Sequence, residues 1–178
     1  MTPRQWQYLV AALWLLGAVL VQFTVMARLP MAAPDLVVCA VVAVALAGGR
    51  TPGVVAGFVT GLAMDVLPPS DGLIGAGALT LVVVAYIAGG VRDPRGMAPL
   101  ERFGLVAGLA ALASVMQWTI SAVLTASAPA PAAVLPSALL GALLTGVVAL
   151  PLVPAIGATV RRAGGGSRRH RRLGPVGG

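Results

Sequence analysis

Residues 36–67 read LVVCAVVAVALAGGRTPGVVAGFVTGLAMDVL. The five residues at their centre, Gly48-Gly49-Arg50-Thr51-Pro52, decide whether this is one long apolar helix or two short ones. Glycine suits a helix C-cap, threonine an N-cap, and proline a first turn, where its missing N–H costs nothing. An arginine midway along a single membrane helix would be expensive. The stretch therefore predicts two short helices, 36–47 and 52–67. The first of them can begin as early as Pro30 or Pro34, since a first turn tolerates proline.

Four longer apolar runs surround this pair: 8–27, 72–91, 103–126 and 134–160. Crossing a bilayer core of roughly 30 Å takes about 20 helical residues. Of the 178 residues, 58% are hydrophobic and 10% charged, against about 25% charged in a soluble domain. Mean hydropathy is +0.96. The expectation is an all-α membrane protein with six transmembrane helices, the second and third short, filling residues 1–160. Residues 161–178 are expected to form a disordered basic cytoplasmic tail, because glycine and like charges dominate there.

The arginines test the count. Six spans with a cytoplasmic N-terminus put Arg4, Arg50, Arg92, Arg95, Arg102, Arg161, Arg162, Arg168, Arg169, Arg171 and Arg172 inside, and Arg28 alone outside. That is the positive-inside bias expected of short loops and flanks. Asp35, Asp65 and Asp71 fall outside on the same map. Merging the two short helices would move Arg92, Arg95 and Arg102 to the side opposite the tail. The N-terminus reads as a signal anchor, with Trp6, Tyr8 and Trp14 as interfacial aromatics and a run too long for a cleavable signal.

Little in the chain suggests chemistry. It has one cysteine, one histidine and no lysine. No carboxylate pair stands at helical spacing within a span, and Ser114, Thr119, Ser121 and Thr125 have no base beside them; membrane hydroxyls usually bond within or between helices. Cys39 reads as a small core hydrophobe, and His170 has no nearby co-ligand. Catalytic, cofactor and metal sites are all expected to be absent. The net charge of +7 gathers in the tail arginines Arg161, Arg162, Arg168, Arg169, Arg171 and Arg172. A segment held at the membrane meets anionic lipid, which attracts each arginine by about 1 kcal/mol, so lipid is expected rather than nucleic acid.

Gly53, Gly57 and Gly61 recur every four residues in the third span. Such residues share one helix face, giving a smooth stripe on which another backbone can pack, more readily within this chain than in a partner. Gly104 and Gly108 form a second pair in the fifth span. Asp65 lies one turn beyond Gly61. It reads either as a functional acid at membrane depth or, more plainly, as one solvated at the outer interface. Arg28, Asp35 and Asp65 together outline a candidate outer pocket, and Gln22 and Gln117 are further polar residues able to face the interior. Tyr86 reads as an interfacial aromatic. Pro151 and Pro154 should kink the last helix.

Pro34-Asp35-Leu36, then Gly53, Gly57, Gly61 and Asp65, then Gly72 through Ala78, and finally Tyr86 with Gly89 resemble the rod shape-determining protein MreD family in order and spacing, over roughly residues 6–160. The resemblance implies a multi-pass protein of the bacterial cytoplasmic membrane that scaffolds and regulates lateral peptidoglycan synthesis. It implies an MreC-like single-span partner, with MreB, a RodA-type glycosyltransferase and a class B penicillin-binding transpeptidase in the same machinery. It also implies a fold similar to the S components of energy-coupling-factor transporters, so the rival reading is a small-molecule-binding subunit of a vitamin or micronutrient transporter. That rival wants a small-residue stripe on the first helix. Leu15 and Leu16 stand where the small residues would be needed, which favours the scaffold.

Overall fold

The computed structural model describes residues 3–24, 33–67, 74–91, 96–125 and 130–164. Arg28, Asp71, Gly72, Arg92, Arg95 and the tail arginines Arg168, Arg169, Arg171 and Arg172 lie outside the described residues. Within them the chain is all-helical: α1 Pro3–Thr24, α2 Leu36–Gly48, α3 Arg50–Val66, α4 Ala76–Ala88, α5 Pro99–Thr125 and α6 Pro131–Gly164. α1, α5 and α6 are long and apolar enough to cross a membrane.

The break that decides the fold falls where the sequence predicts, though its caps differ. Gly49, in a left-handed conformation at φ +89°, both ends α2 and opens α3. Thr51 and Pro52 are already inside α3. Glycine adopts this conformation at little cost, so one residue turns the chain. The resulting α2–α3 hairpin closes with Pro52 against Gly48 and Ala45 against Gly53.

α4 is the clearest departure in length. A span over 72–91 was expected, and the helix covers only 13 residues. It starts late because Gly75, at φ +102°, is its N-cap. α2 is likewise 13 residues, so each extends about 20 Å. α3 is short as expected, at 17 residues.

α2 is the centre of the molecule and touches α1, α3, α4, α5 and α6. Every residue from Val37 to Ala45 is buried. A helix apolar on all sides has no face to give to water and belongs where neighbours surround it. The interior is built of small side chains, chiefly valine and alanine, with buried Thr60, Thr80 and Thr145. Leu81, Leu109 and Ile156 are buried with them, but many of the large side chains point outward, among them Leu13, Leu16 and Leu20 of α1 and Leu139, Leu143 and Val147 of α6. This inverts the soluble pattern and matches helices whose cohesion comes from close packing rather than from expelling water.

The first and last helices run antiparallel, as do the last two. Gln7 meets Gly164 and Trp14 Nε1 donates to Thr159 Oγ1 at 2.9 Å, pairing α1 with the second half of α6. Phe103 and Ala107 close on Gly146, which pairs α5 with the first half of α6. α6 is thus a spine of 34 residues shared by two sets of partners, and it runs through Pro136, Pro151 and Pro154 without interruption. Gln7, Gly48, Pro52 and Val160 converge at one end of the bundle. Arg50, Arg161 and Arg162 belong to that end. Arg161 and Arg162 were expected in the tail, yet they form part of the last turn of α6, where cations suit the unpaired carbonyls. Asp35 and Asp65 lie at the other end, at the start of α2 and the finish of α3.

Candidate functional site

The glycine stripe of α3 is consumed inside the molecule. A methyl group at Gly53 would stand 2.6 Å from Ala45 Cβ, and one at Gly57 would stand 2.5 Å from the Leu81 carbonyl oxygen. At Gly61 it would run into the Ala78 backbone. These residues pair with α4 in steady antiparallel register, and the seam continues at both ends. Gly89 lies against the Arg50 backbone, where a Cβ would be 2.7 Å from Arg50 Cα, and the Arg50 guanidinium sits 4.8 Å from the centre of the Tyr86 ring. Tyr86 therefore serves as a stacking platform as well as an exposed aromatic.

Asp65 closes the opposite end. Its carboxylate accepts from Gly75 N at 2.8 Å, Gly77 N at 3.1 Å and Ala78 N at 3.2 Å. These are amides at the N-terminus of α4, which its own N-cap glycine cannot satisfy with a side chain. The acid is neither simply solvated at an interface nor free for a ligand: it is the cap of the neighbouring helix.

Asp35 performs the same service for α2, as its own N-cap, accepting from Val38 N at 2.9 Å. Gln22 Oε1 takes the Leu36 amide at 2.9 Å, and Thr145 Oγ1 takes the Asp35 amide at 2.8 Å. Thr145 Oγ1 donates in turn to Gly141 O at 2.6 Å, and Cys39 Sγ approaches Thr145 O at 3.4 Å. A helix start enclosed within the bundle leaves amides that water cannot reach, and three side chains from three segments supply the acceptors.

Of the expected outer pocket of Arg28, Asp35 and Asp65, the two acids are placed at the starts of different helices. Asp35 lines a cleft of about 320 Å³ with Gln22, Ser114, Ser137 and Thr145, and Asp65 does not line it. Arg28 lies outside the described residues. Ser114 donates to Ala110 O and Ser137 to Val134 O, so their hydroxyls are tied to their own helices. The cleft offers oxygen acceptors but brings no nucleophile to a base. Among the described residues no group of three or more His, Cys, Asp and Glu side chains could hold a metal ion. Gln117, expected as an interior candidate, is exposed.

The second glycine pair behaves unlike the first. Gly104 and Gly108 are exposed, and a methyl group at either would meet nothing within 4 Å. They take no part in packing within the described chain, and they leave a smooth uncovered strip on α5.

Sequence reasoning missed Thr145, Gln22 as an acceptor for α2, and the Gly146 contact with Phe103. A threonine amid Gly, Ala and Leu on α6 was the one available signal for the first. The others depend on which helices meet. Comparison with family models, with curated proteins and with solved structures found no match in any of the three.

Proposed function

We propose that this protein is a scaffold and regulator of the bacterial cell-elongation complex, holding the membrane span of an MreC-like partner against α5 and so influencing lateral peptidoglycan synthesis. In this reading it is a multi-pass protein of the cytoplasmic membrane, related to the MreD family. All six helices traverse the bilayer region, and both termini are cytoplasmic. The separation of Arg50, Arg161 and Arg162 from Asp35 and Asp65 supports that orientation, because basic residues concentrate on the cytoplasmic side.

The observation that carries the partner reading is the contrast between two glycine stripes. One is spent on α4, down to backbone contact at Gly57 and Gly61, while Gly104 and Gly108 on α5 stay uncovered. Helices in lipid associate through close fit, since lipid tails compete equally for apolar surface, and glycine permits the closest approach. A RodA-type glycosyltransferase and a class B transpeptidase join through that partner, with MreB reached from the cytoplasmic side.

The cleft beside Asp35 favours a second reading, a small-molecule-binding transporter subunit. Capture of the full chain from its native membrane, followed by mass spectrometry, separates the two. Recovery of a single-span MreC-like protein, lost in Gly108→Leu, supports the scaffold. Recovery of an ATPase with its coupling subunit overturns it.

A further inference from the structure

The bundle does not have one height. α4 rises about 20 Å and α3 about 25 Å, whereas α1, α5 and α6 rise about 33, 40 and 50 Å. At the arginine-bearing end the short helices are level with α6: Gly89 lies against Arg50, and Val160 shares a cleft with Gly48 and Pro52. The mismatch therefore falls at the acidic end. From Val160, α6 climbs about 20 Å to Val147, the height at which α4 begins, and it continues beyond that to Pro131. α2 starts at the same height, since Thr145 holds the Asp35 amide. Tilt shortens the reach of a long helix, but nothing lengthens α4, which Gly75 and Gly89 cap at its two ends.

The outer side of this short pair is apolar, with Val55, Phe58, Val59 and Leu62 of α3 and Leu79 of α4 all exposed. Hydrocarbon cannot satisfy the open backbone of a helix end, so lipid tails beside α3 and α4 must stop where the helices stop. Arg50, stacked on Tyr86, marks one limit, and the Asp65 carboxylate on the α4 amides marks the other. Along α3 the two are about 22 Å apart, against a usual core of roughly 30 Å. We propose, on the reading that all six helices traverse the bilayer, that the α3–α4 face draws the outer leaflet inward. The hydrocarbon beside it thins to about 20–25 Å, while the α6 side keeps its full thickness. Lipid rather than a protein span occupies this face, because close helix packing uses small residues and the glycines of α3 are spent on α4. The membrane then carries a one-sided step, where short or disordered acyl chains fit best.

The test is nitroxide depth measurement by electron paramagnetic resonance on the full chain in dioleoylphosphatidylcholine. Cysteines are introduced singly at exposed Ile74, Leu79 and Val147; Cys39 is buried and stays in place, and the unsubstituted chain gives the background. The Ile74→Cys label should be relaxed more by a water-soluble nickel chelate than by oxygen. The Val147→Cys label, at the same height on the bundle, should show the reverse. Oxygen dominating at both would mean a bilayer of even thickness and would overturn the proposal. So would a Leu79→Cys label that neither agent reaches, the mark of a second protein covering the face. Crossing by α4 is read separately with a membrane-impermeant maleimide on right-side-out vesicles. Ile74→Cys should react at once and Ile87→Cys only after permeabilisation. Reaction of both from one side would overturn the six-span reading and this proposal with it. Opposite sides with an oxygen-dominated Ile74→Cys label would overturn the proposal alone.

Discussion

The carboxylate of Asp65, in the last turn of α3, accepts the amide of Gly75 at 2.8 Å and so caps a helix whose N-cap residue lies ten positions later. The connection joins two antiparallel helices at one end, while Arg50 and Gly89 join them at the other. Between these clasps the glycines bring the two backbones together. α3 and α4 therefore form one structural unit, and its stability should respond to either clasp.

Asp65→Ala should destabilise the folded protein by about 0.5–2 kcal/mol, the usual range for loss of an N-cap. Asp65→Asn should retain part of that, since its amide oxygen still accepts but without the charge. Thermal unfolding in detergent, read by tryptophan fluorescence, checks the order wild type, Asn, Ala. An Ala variant as stable as wild type would remove the capping role.

The two glycine stripes should separate in a single experiment. Gly57→Ala places a methyl group 2.5 Å from the Leu81 carbonyl oxygen, so the helices must part; overpacking of this kind costs about 1–3 kcal/mol. Gly108→Ala meets open space inside α5 and should leave stability unchanged or raise it by up to about 1 kcal/mol, the helix-propensity gain of alanine over glycine. Folded yield from the membrane should fall for the first and hold for the second. Recovery of a bound partner should fall for Gly108→Leu with folded yield unchanged.

The sequence carried the helical class, the break at Gly49 and the importance of Gly53, Gly57 and Gly61, because each of these is local: a cap, a periodicity, a run of apolar residues. It did not carry the late start of α4. That start depends on a carboxylate from α3, and the apolar pattern from Gly72 onward gives no sign of it. The same limit explains the candidate pocket. Asp35 and Asp65 share a side of the topology map, but each is drawn to the nearest set of unpaired amides and the two cap different helices. Nor does a glycine repeat say what faces it. Gly57 and Gly108 look alike in sequence, and only the placement of α4 distinguishes them.

Thr145 is buried at 1% exposure and holds the Asp35 amide. Thr145→Val keeps the shape but leaves that N–H without its acceptor, a loss of about 1–3 kcal/mol for a buried donor. Thr145→Ser keeps the hydroxyl and should cost less. Thermal unfolding of the pair distinguishes the hydrogen bond from simple packing, because a packing role would make serine the worse substitution.

Topology is checked by reporters. Fusions after Arg172 and within residues 126–134 should report opposite compartments, with the former cytoplasmic, because α6 lies between them and is long enough to cross. A third fusion within residues 92–95 should match the C-terminal one if α5 and α6 each cross once. Agreement of the first two would remove the crossing by α6 and with it the six-span reading.

The last prediction concerns what the basic tail does for partner binding. If the partner's span is held by the uncovered face of α5, close packing supplies the affinity, and packing is insensitive to salt. Attraction between arginines and anionic groups instead weakens as ionic strength rises and the screening length shrinks from about 10 Å at 0.1 M to about 3 Å at 1 M. Removing residues 167–178 takes away Arg168, Arg169, Arg171 and Arg172 while leaving α6 complete through Gly164. The truncated protein should therefore recover its partner undiminished, in both low and high salt, yet bind anionic vesicles more weakly than the full chain. Co-purification at the two salt concentrations, beside vesicle flotation, measures both effects. Loss of the partner on truncation, or its release by salt, would move the interface from the α5 glycines to the tail.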